Sequence, residues 1–298
     1  MKSMSLPKII EGKWNKGRYS LIRELGTGGI GQIYLVRSLV DNKLYALKLS
    51  KDTLSLNREY RHLKHFSDLS SIVKTHEIDD LEIGLEIYNF IVLDYIEGAN
   101  IKNYIDNRNL REEEALGLIM IVINALDEIH GKGFILGDLK PENIMLDEGA
   151  KTIKLVDLGG VVKKGEGIKE YTPAYDRACW GKGLRKAEES YDYFSALMLL
   201  VRLLLKRNIN PYGEGIEALQ NSIRTSRINE KIIFFVLKQL KNHNIENNFL
   251  EDLKDLYILM KNNRKYEIMI RRDKVINALL TASIFIFITT AIMLIIRI

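Results

Sequence analysis

The stretch Gly137-Asp138-Leu139-Lys140-Pro141-Glu142-Asn143, followed by Asp157-Leu158-Gly159, constrains this 298-residue chain more than any other feature. An aspartate stands five residues before an asparagine, and a second aspartate follows 14 residues later, directly after the apolar run Ile153-Lys154-Leu155-Val156. Such a set suits phosphoryl transfer, which needs little covalent chemistry from a protein. It needs a carboxylate to orient the attacking hydroxyl and oxygen ligands to hold a metal on the phosphates. Asp138 suits the first role, and Asn143 and Asp157 the second.

A glycine pattern lies far upstream. Gly26-Thr27-Gly28-Gly29-Ile30-Gly31 matches G-x-G-x-x-G, with Ile33 two residues on. Alone the pattern is weak, since an ordinary turn or a dinucleotide fingerprint would also read this way. The fingerprint, however, puts a helix straight after the glycines. Here they lie between two strand-like runs, Tyr19 to Leu25 and Gln32 to Val36, so the loop closes a hairpin. Tyr45-Ala46-Leu47-Lys48 ends the next strand-like run, and Lys48 stands 17 residues after Gly31. The segment Leu56 to Phe66 has helical spacing, with Glu59 four residues before Leu63 and no other acidic residue.

In this order the motifs resemble those of the Hanks-type serine/threonine protein kinases over roughly residues 15 to 205. The resemblance implies an α+β fold in two lobes, a small β-rich N-lobe and a helical C-lobe, with ATP and Mg²⁺ (or Mn²⁺) as cofactors. It assigns the glycine loop, Gly26 to Gly31, together with Ile33, Ala46 and Lys48, to the nucleotide. Glu59 would hold Lys48 as an ion pair, on a helix that follows Lys48 at a short interval. Asn89 to Gly98 resembles the strand and hinge that meet the adenine, with Leu93 as gatekeeper and the backbone of Asp94, Tyr95 and Ile96 as base contacts. Asp138 would orient the acceptor hydroxyl, Lys140 would neutralise charge on the moving phosphoryl, and Asn143 and Asp157 would hold the metal. Thr172, in Thr172-Pro173-Ala174-Tyr175, matches the substrate-docking turn.

The departures from the family pattern are informative. Leu136-Gly137 stands where histidine and arginine usually precede the catalytic aspartate. That arginine normally pairs with a phosphate on the activation segment. Between Asp157 and Tyr175 the only hydroxyl side chains are Tyr171, Thr172 and Tyr175, so a loop-phosphate switch is not expected. Arg177-Ala178-Cys179 replaces A-P-E, and its usual arginine partner is also missing. Asp192 is expected to brace the catalytic loop from the start of the central C-lobe helix. The C-lobe beyond Lys206 reads as reduced, with apolar stripes at Ile232 to Leu240 and Phe249 to Met260.

A chain with 46% hydrophobic and 28% charged residues can bury one two-lobed core and carry one more segment. Its single cysteine, Cys179, excludes an internal disulfide, and its five histidines show no metal-ligand spacing. The extra segment is Val275 to Ile296, 22 residues without a charge, which as a helix of roughly 33 Å would cross a hydrocarbon core of about 30 Å. Lys261 to Lys274 carries six Lys/Arg against two acidic residues, which marks the cytoplasmic side. The expected division is N-lobe and hinge 1–98, reduced C-lobe 99–262, basic juxtamembrane segment 263–274 and transmembrane helix 275–296, with no external domain.

The expected partners are protein substrates and the bilayer, with anionic headgroups meeting Arg264, Lys265, Arg271, Arg272 and Lys274. DNA as a non-specific activator and a homodimer stay open. The Gly17-Arg18-Tyr19 entry and the preference for Ile, Lys and Asn resemble the short anchored kinases of spore-forming bacteria, linked to sporulation. Two other readings also stand: a membrane-tethered pseudokinase acting as a nucleotide-binding or scaffold protein, and a small-molecule phosphotransferase of the same fold, which commonly has H-G-D at the catalytic aspartate. The second lacks a counterpart to Lys140-Pro141-Glu142-Asn143.

Overall fold

The computed structural model describes residues 6–296, apart from 28, 30, 150, 151, 242–244, 246 and 247; the side chains of 266–268, 270, 273, 280–282 and 284–296 also lie outside the described residues. One compact unit runs to Phe249 and a second begins at Leu250.

The first unit opens with strands β1 (Ile9–Glu11), β2 (Arg18–Thr27), β3 (Gln32–Ser38) and β4 (Leu44–Ser50), then helix α1 (Thr53–His65), then β5 (Thr75–Ile83) and β6 (Glu86–Asp94). The six strands form one antiparallel sheet in the order β1-β2-β3-β4-β6-β5. Strand periodicity sends alternate side chains to opposite faces. Tyr34, Val36, Leu47, Leu49, Phe90 and Val92 pack into one apolar cluster on the first face. The residues between them take the other face, where Ile33 pairs with Lys48 and Ala46 with Leu93. Four residues assigned to the nucleotide from the sequence thus share one side of the sheet.

Helix α1 begins three residues before the apolar spacing that announces it. The Asp52 side chain accepts from the Ser55 N–H at 3.0 Å and satisfies one of the orphan donors of the first turn. Leu56, Glu59 and Leu63 are its buried face. Despite the short interval after Lys48, the helix runs 13 residues and presents Glu59 inward.

The helical part comprises α2 (Ile101–Asn107), α3 (Glu112–Gly131), α4 (Glu189–Leu205), α5 (Ile216–Arg224) and α6 (Glu230–Lys241). Between α3 and α4 run the short strands β7 (Phe134–Ile135), β8 (Ile144–Asp147), β9 (Thr152–Leu155) and β10 (Val162–Lys163). β8 and β9 form a hairpin and β7 pairs with β10. Helix α4 is the centre of this part, buried along nearly its whole length. The second unit is helical, belonging to α7 (Phe249–Ile296), a single run of 48 residues. No glycine or proline falls within it, and so nothing in the sequence breaks the helix at 262 or 274. Among the described residues no helix is long and apolar enough to cross a membrane. The run Val275 to Ile296, read above as a span, is helical backbone whose side chains lie mostly outside the described residues.

After β6 the chain crosses β8 closely. Leu146 N–H donates to Ala99 O at 2.9 Å, and a Cβ placed on Gly98 would lie 1.9 Å from the Leu146 carbonyl oxygen. Gly98→Ala therefore forces the two backbones apart. We expect it to lower unfolding stability by about 1–3 kcal/mol, read by denaturant titration, while Gly131→Ala, at the end of α3 with open space around its Cβ and no left-handed φ, should not lower it.

Candidate active site

Lys48 is 2% exposed, and an ammonium cannot remain charged there without partners. Its Nζ donates to both oxygens of Glu59, at 2.8 and 2.7 Å, and to Asp157 Oδ2 at 3.3 Å. Burial opposes every charge in this group. For Glu59 burial prevails, joined by repulsion from Asp157, and the carboxyl is pushed up to about 7 despite Lys48. For Lys48 burial is outweighed by Asp157 and Glu59, and its pKa is raised. Asp157 is also opposed by burial, yet Lys48 and the Gly159 N–H, which donates at 3.0 Å, hold it low. Lys48 and Asp157 are thus held toward their charged forms, while Glu59 is the carboxyl that most readily takes a proton and relieves the excess negative charge.

Asp138 lies at the second focus. Thr172 Oγ1 donates to its Oδ1 at 2.7 Å and Lys140 Nζ to its Oδ2. Asn143 Nδ2 donates to the Asp138 carbonyl at 3.4 Å, which leaves the amide oxygen as the atom Asn143 offers. Val156 N–H donates to the Asn143 carbonyl at 3.0 Å, so the strand leading to Asp157 is tied to the loop that carries Asn143. One amide oxygen and one carboxylate, with no cluster of three His, Cys, Asp or Glu among the described residues, fit a magnesium ion. That ion is usually held by one or two protein groups together with substrate phosphates.

The remaining assigned residues are spread along the nucleotide side. A Cβ on Gly31 would lie 2.1 Å from the Leu49 carbonyl, so only glycine lets β3 leave the loop there. Gly26 and Thr27 end β2 and Gly29 follows in the turn, while Gly28 and Ile30 lie outside the described residues. Leu93 is buried, and Asp94 ends β6 with its N–H donating to Lys74 O at 2.9 Å. Tyr95 and Ile96 lie beyond the strand.

The catalytic loop is held by a buried carboxylate. Asp192 Oδ2 accepts from Leu136 N–H at 2.8 Å and Oδ1 from Gly137 N–H at 2.9 Å. His130 Nε2 meets the same Oδ2 at 2.8 Å and, facing a carboxylate, acts as donor. The sequence leaves His130 open between a surface and a satisfied helix position, and the structure shows the second. Its position on the apolar face of α3, beside Leu126 and Ile129, is the signal that it points inward. Gly137 has φ +80°, and a Cβ there would meet Gly160 O at 2.7 Å, so the glycine is a backbone requirement as well as a missing cation.

The end of the activation segment has its own anchor, which sequence reading missed. Asp176, 1% exposed, accepts from Arg185 at 2.8 Å, Tyr191 Oη at 2.8 Å and Cys179 N–H at 3.1 Å. Arg177 is buried beside it, donating to Glu188 at 2.6 Å, Leu184 O at 2.7 Å and Ser190 Oγ at 3.0 Å. The absent glutamate–arginine pair is thus replaced by two pairs at other positions. Burial raises the Asp176 carboxyl, but bonds from Cys179, Arg185 and Tyr191 overcome it and hold the group below its ordinary 3.8. A depressed acid contributes stability above its unfolded pKa and loses it as pH falls through the folded one. Asp176→Asn should therefore cost about 1–3 kcal/mol near neutral pH, and the gap from wild type should close as pH drops below about 4, measured by denaturant titration across pH.

The protein kinase domain model matches residues 19–268. A serine/threonine-protein kinase of Bacillus subtilis, YabT, is 34% identical over 228 residues, 74% of this chain and 66% of that protein. PrkC, also a serine/threonine-protein kinase of B. subtilis, is 30% identical over 51% of this chain and 24% of its own length. A probable serine/threonine-protein kinase of Lactococcus lactis, PknB, is 29% identical over 50% of this chain and 24% of its own length. The chain thus spans just under two thirds of the first relative and about a quarter of the other two. On this match and this geometry, the chain belongs to the protein kinase family, with the bacterial serine/threonine kinases as its relatives.

Proposed function

We propose that the whole protein transfers the γ-phosphoryl group of ATP to serine or threonine hydroxyls of protein substrates at the cytoplasmic face of a membrane. The observation that carries the reading is the convergence of Lys48, Glu59 and Asp157 in one buried charge group with Asp138, Lys140 and Thr172 in a second. Lys48 holds the α- and β-phosphates. Asp138 accepts a hydrogen bond from the acceptor hydroxyl and takes its proton as the new P–O bond forms and the bond to the ADP oxygen breaks. Lys140, already at the Asp138 carboxylate, lies where charge on the moving phosphoryl needs neutralising. Magnesium would neutralise charge on the phosphates, and Asn143 and Asp157 are the residues that would hold it.

The anchor is Val275 to Ile296, and its support is the uncharged sequence beside a basic segment. Arg264, Lys265, Arg271, Arg272 and Lys274 give that segment attraction for anionic headgroups, about 1 kcal/mol each near such a surface. Placement among the short anchored kinases of spore-forming bacteria, with their link to sporulation, rests on the Gly17-Arg18-Tyr19 entry and the Ile, Lys and Asn preference.

The test is phosphate transfer from labelled Mg-ATP by the full chain, in neutral or anionic nanodiscs and with or without DNA. Asp138→Asn should lower turnover by about 10²–10⁴-fold, and Asp157→Asn should abolish productive metal binding. Bound ATP without transfer to itself or to any protein acceptor would overturn the reading in favour of a pseudokinase. Stimulation by anionic lipid or by DNA would identify which polyanion the basic segment serves.

A further inference from the structure

The residue before Glu59 on α1 is Arg58, and its Nη2 donates to Glu170 Oε1 across 112 residues of chain. One turn further along the same helix, His62 Nδ1 is bonded to the Leu158 carbonyl at 3.0 Å. Helix α1 therefore grips the segment after Asp157 at two points, Leu158 and Glu170, and the grip at Glu170 lies two residues before Thr172. Glu170 reaches inward as well: a Cβ on Gly159 would lie 3.3 Å from its Oε2. The stretch between the grips is itself fastened by backbone bonds, Gly165 N–H to Ala187 O at 2.8 Å and Ile168 N–H to Arg185 O at 2.9 Å.

This pair is 39% and 40% exposed, so as a source of stability it contributes little. Its placement is what distinguishes it. One end is covalently next to the carboxylate that holds Lys48, and the other lies two residues before the threonine that bonds Asp138. Any displacement of α1 is felt at Thr172, and any release of the segment is felt at Glu59.

We propose that Arg58 and Glu170 are positioning residues, a clasp whose fixed carboxylate orders the activation segment without an added phosphate. The inference rests on the chain acting as a protein kinase. Two of the three hydroxyls that a phosphate would need are already bonded, and the third belongs to a ring stacked under a guanidinium. Thr172 bonds Asp138, Tyr175 is buried with its hydroxyl accepting from Arg202 at 2.9 Å, and Tyr171 lies under the Arg185 guanidinium, 3.8 Å from its ring centre. The position before Asp138, where a cation could receive a phosphate, is Gly137, which the backbone restricts to glycine.

The test uses the full chain in nanodiscs, with Glu170→Gln, Arg58→Glu and the charge-swapped Arg58→Glu/Glu170→Arg double variant, beside Asp138→Asn. Each single variant should lose at least about fivefold in kcat while melting within about 2 °C of wild type, as a part-exposed pair allows. The double variant should recover most of the loss, which a general structural role would not produce. Amide hydrogen exchange across 158–172 should quicken in the single variants and slow again in the double. Unchanged kcat in Glu170→Gln, or a double variant no better than the singles, overturns the clasp, as does dependence of wild-type activity on phosphate at Tyr171 or Thr172. A wild type that binds ATP without transferring phosphate overturns the kinase reading instead, and the exchange measurement then decides the clasp alone.

Discussion

The buried ammonium of Lys48 is the constraint from which the rest of the site follows. A cation 2% exposed is strongly disfavoured unless carboxylates surround it. Here they come from two separate elements, Glu59 on α1 and Asp157 after β9. Neither is near Lys48 in the chain's local structure, so charge neutrality requires sheet, helix and loop to meet at one point. That meeting sets the positions of Asp157 for the metal and of α1 for everything fastened to it. Two carboxylates face one cation, and burial with repulsion from Asp157 raises Glu59 to about 7, so further positive charge beside Asp157 would be electrostatically favourable.

The same demand for paired charge explains how the activation segment can depart from the family pattern and still be anchored. A single buried carboxylate without its cation would be costly, and losing both members removes that cost but also the anchor. Asp176 with Arg185, and Arg177 with Glu188, restore the anchor with new residues around Tyr191. Polarity is exchanged along the way: at the A-P-E site a buried arginine stands in the first position, and its carboxylate comes from the loop before α4. The fold conserves neutrality and hydrogen bonding at this place, and the side chains that supply them are interchangeable.

Which features could be read from the chain follows from the range of the forces involved. Lys48, Asp138, Asn143 and Asp157 were legible because their spacing is set by local geometry, a strand, a tight loop and a hairpin, which sequence intervals record. Ile33, Ala46 and Leu93 were legible in the same way, through period-two strands in register. Asp176 with Arg185 was not, because nine residues of irregular loop separate them and no period links their positions. The pairing of His130 with Asp192, 62 residues apart, and of Arg58 with Glu170, 112 apart, is a tertiary fact; the apolar face of α3 marks His130 as inward but does not name its partner. Helix α1 was placed three residues late because apolar spacing marks where a helix packs, whereas Asp52 marks where it starts.

Regulation is then a question of which equilibrium is left to shift. In a kinase ordered by an added phosphate, the segment has an unmodified state in which it is loose, and the modifying enzyme chooses between the two. Were the ordering group Glu170, as proposed, that choice would be removed from the segment, because a glutamate is part of the chain and is not added or taken away by a modifying enzyme. The variable that remains is encounter. Tethering by α7 would confine copies and membrane-bound substrates to the same surface, raising their effective concentration without any new contact at the active site. The proposed clasp and the proposed tether would be complementary: the first would make each encounter productive, and the second would decide how many occur.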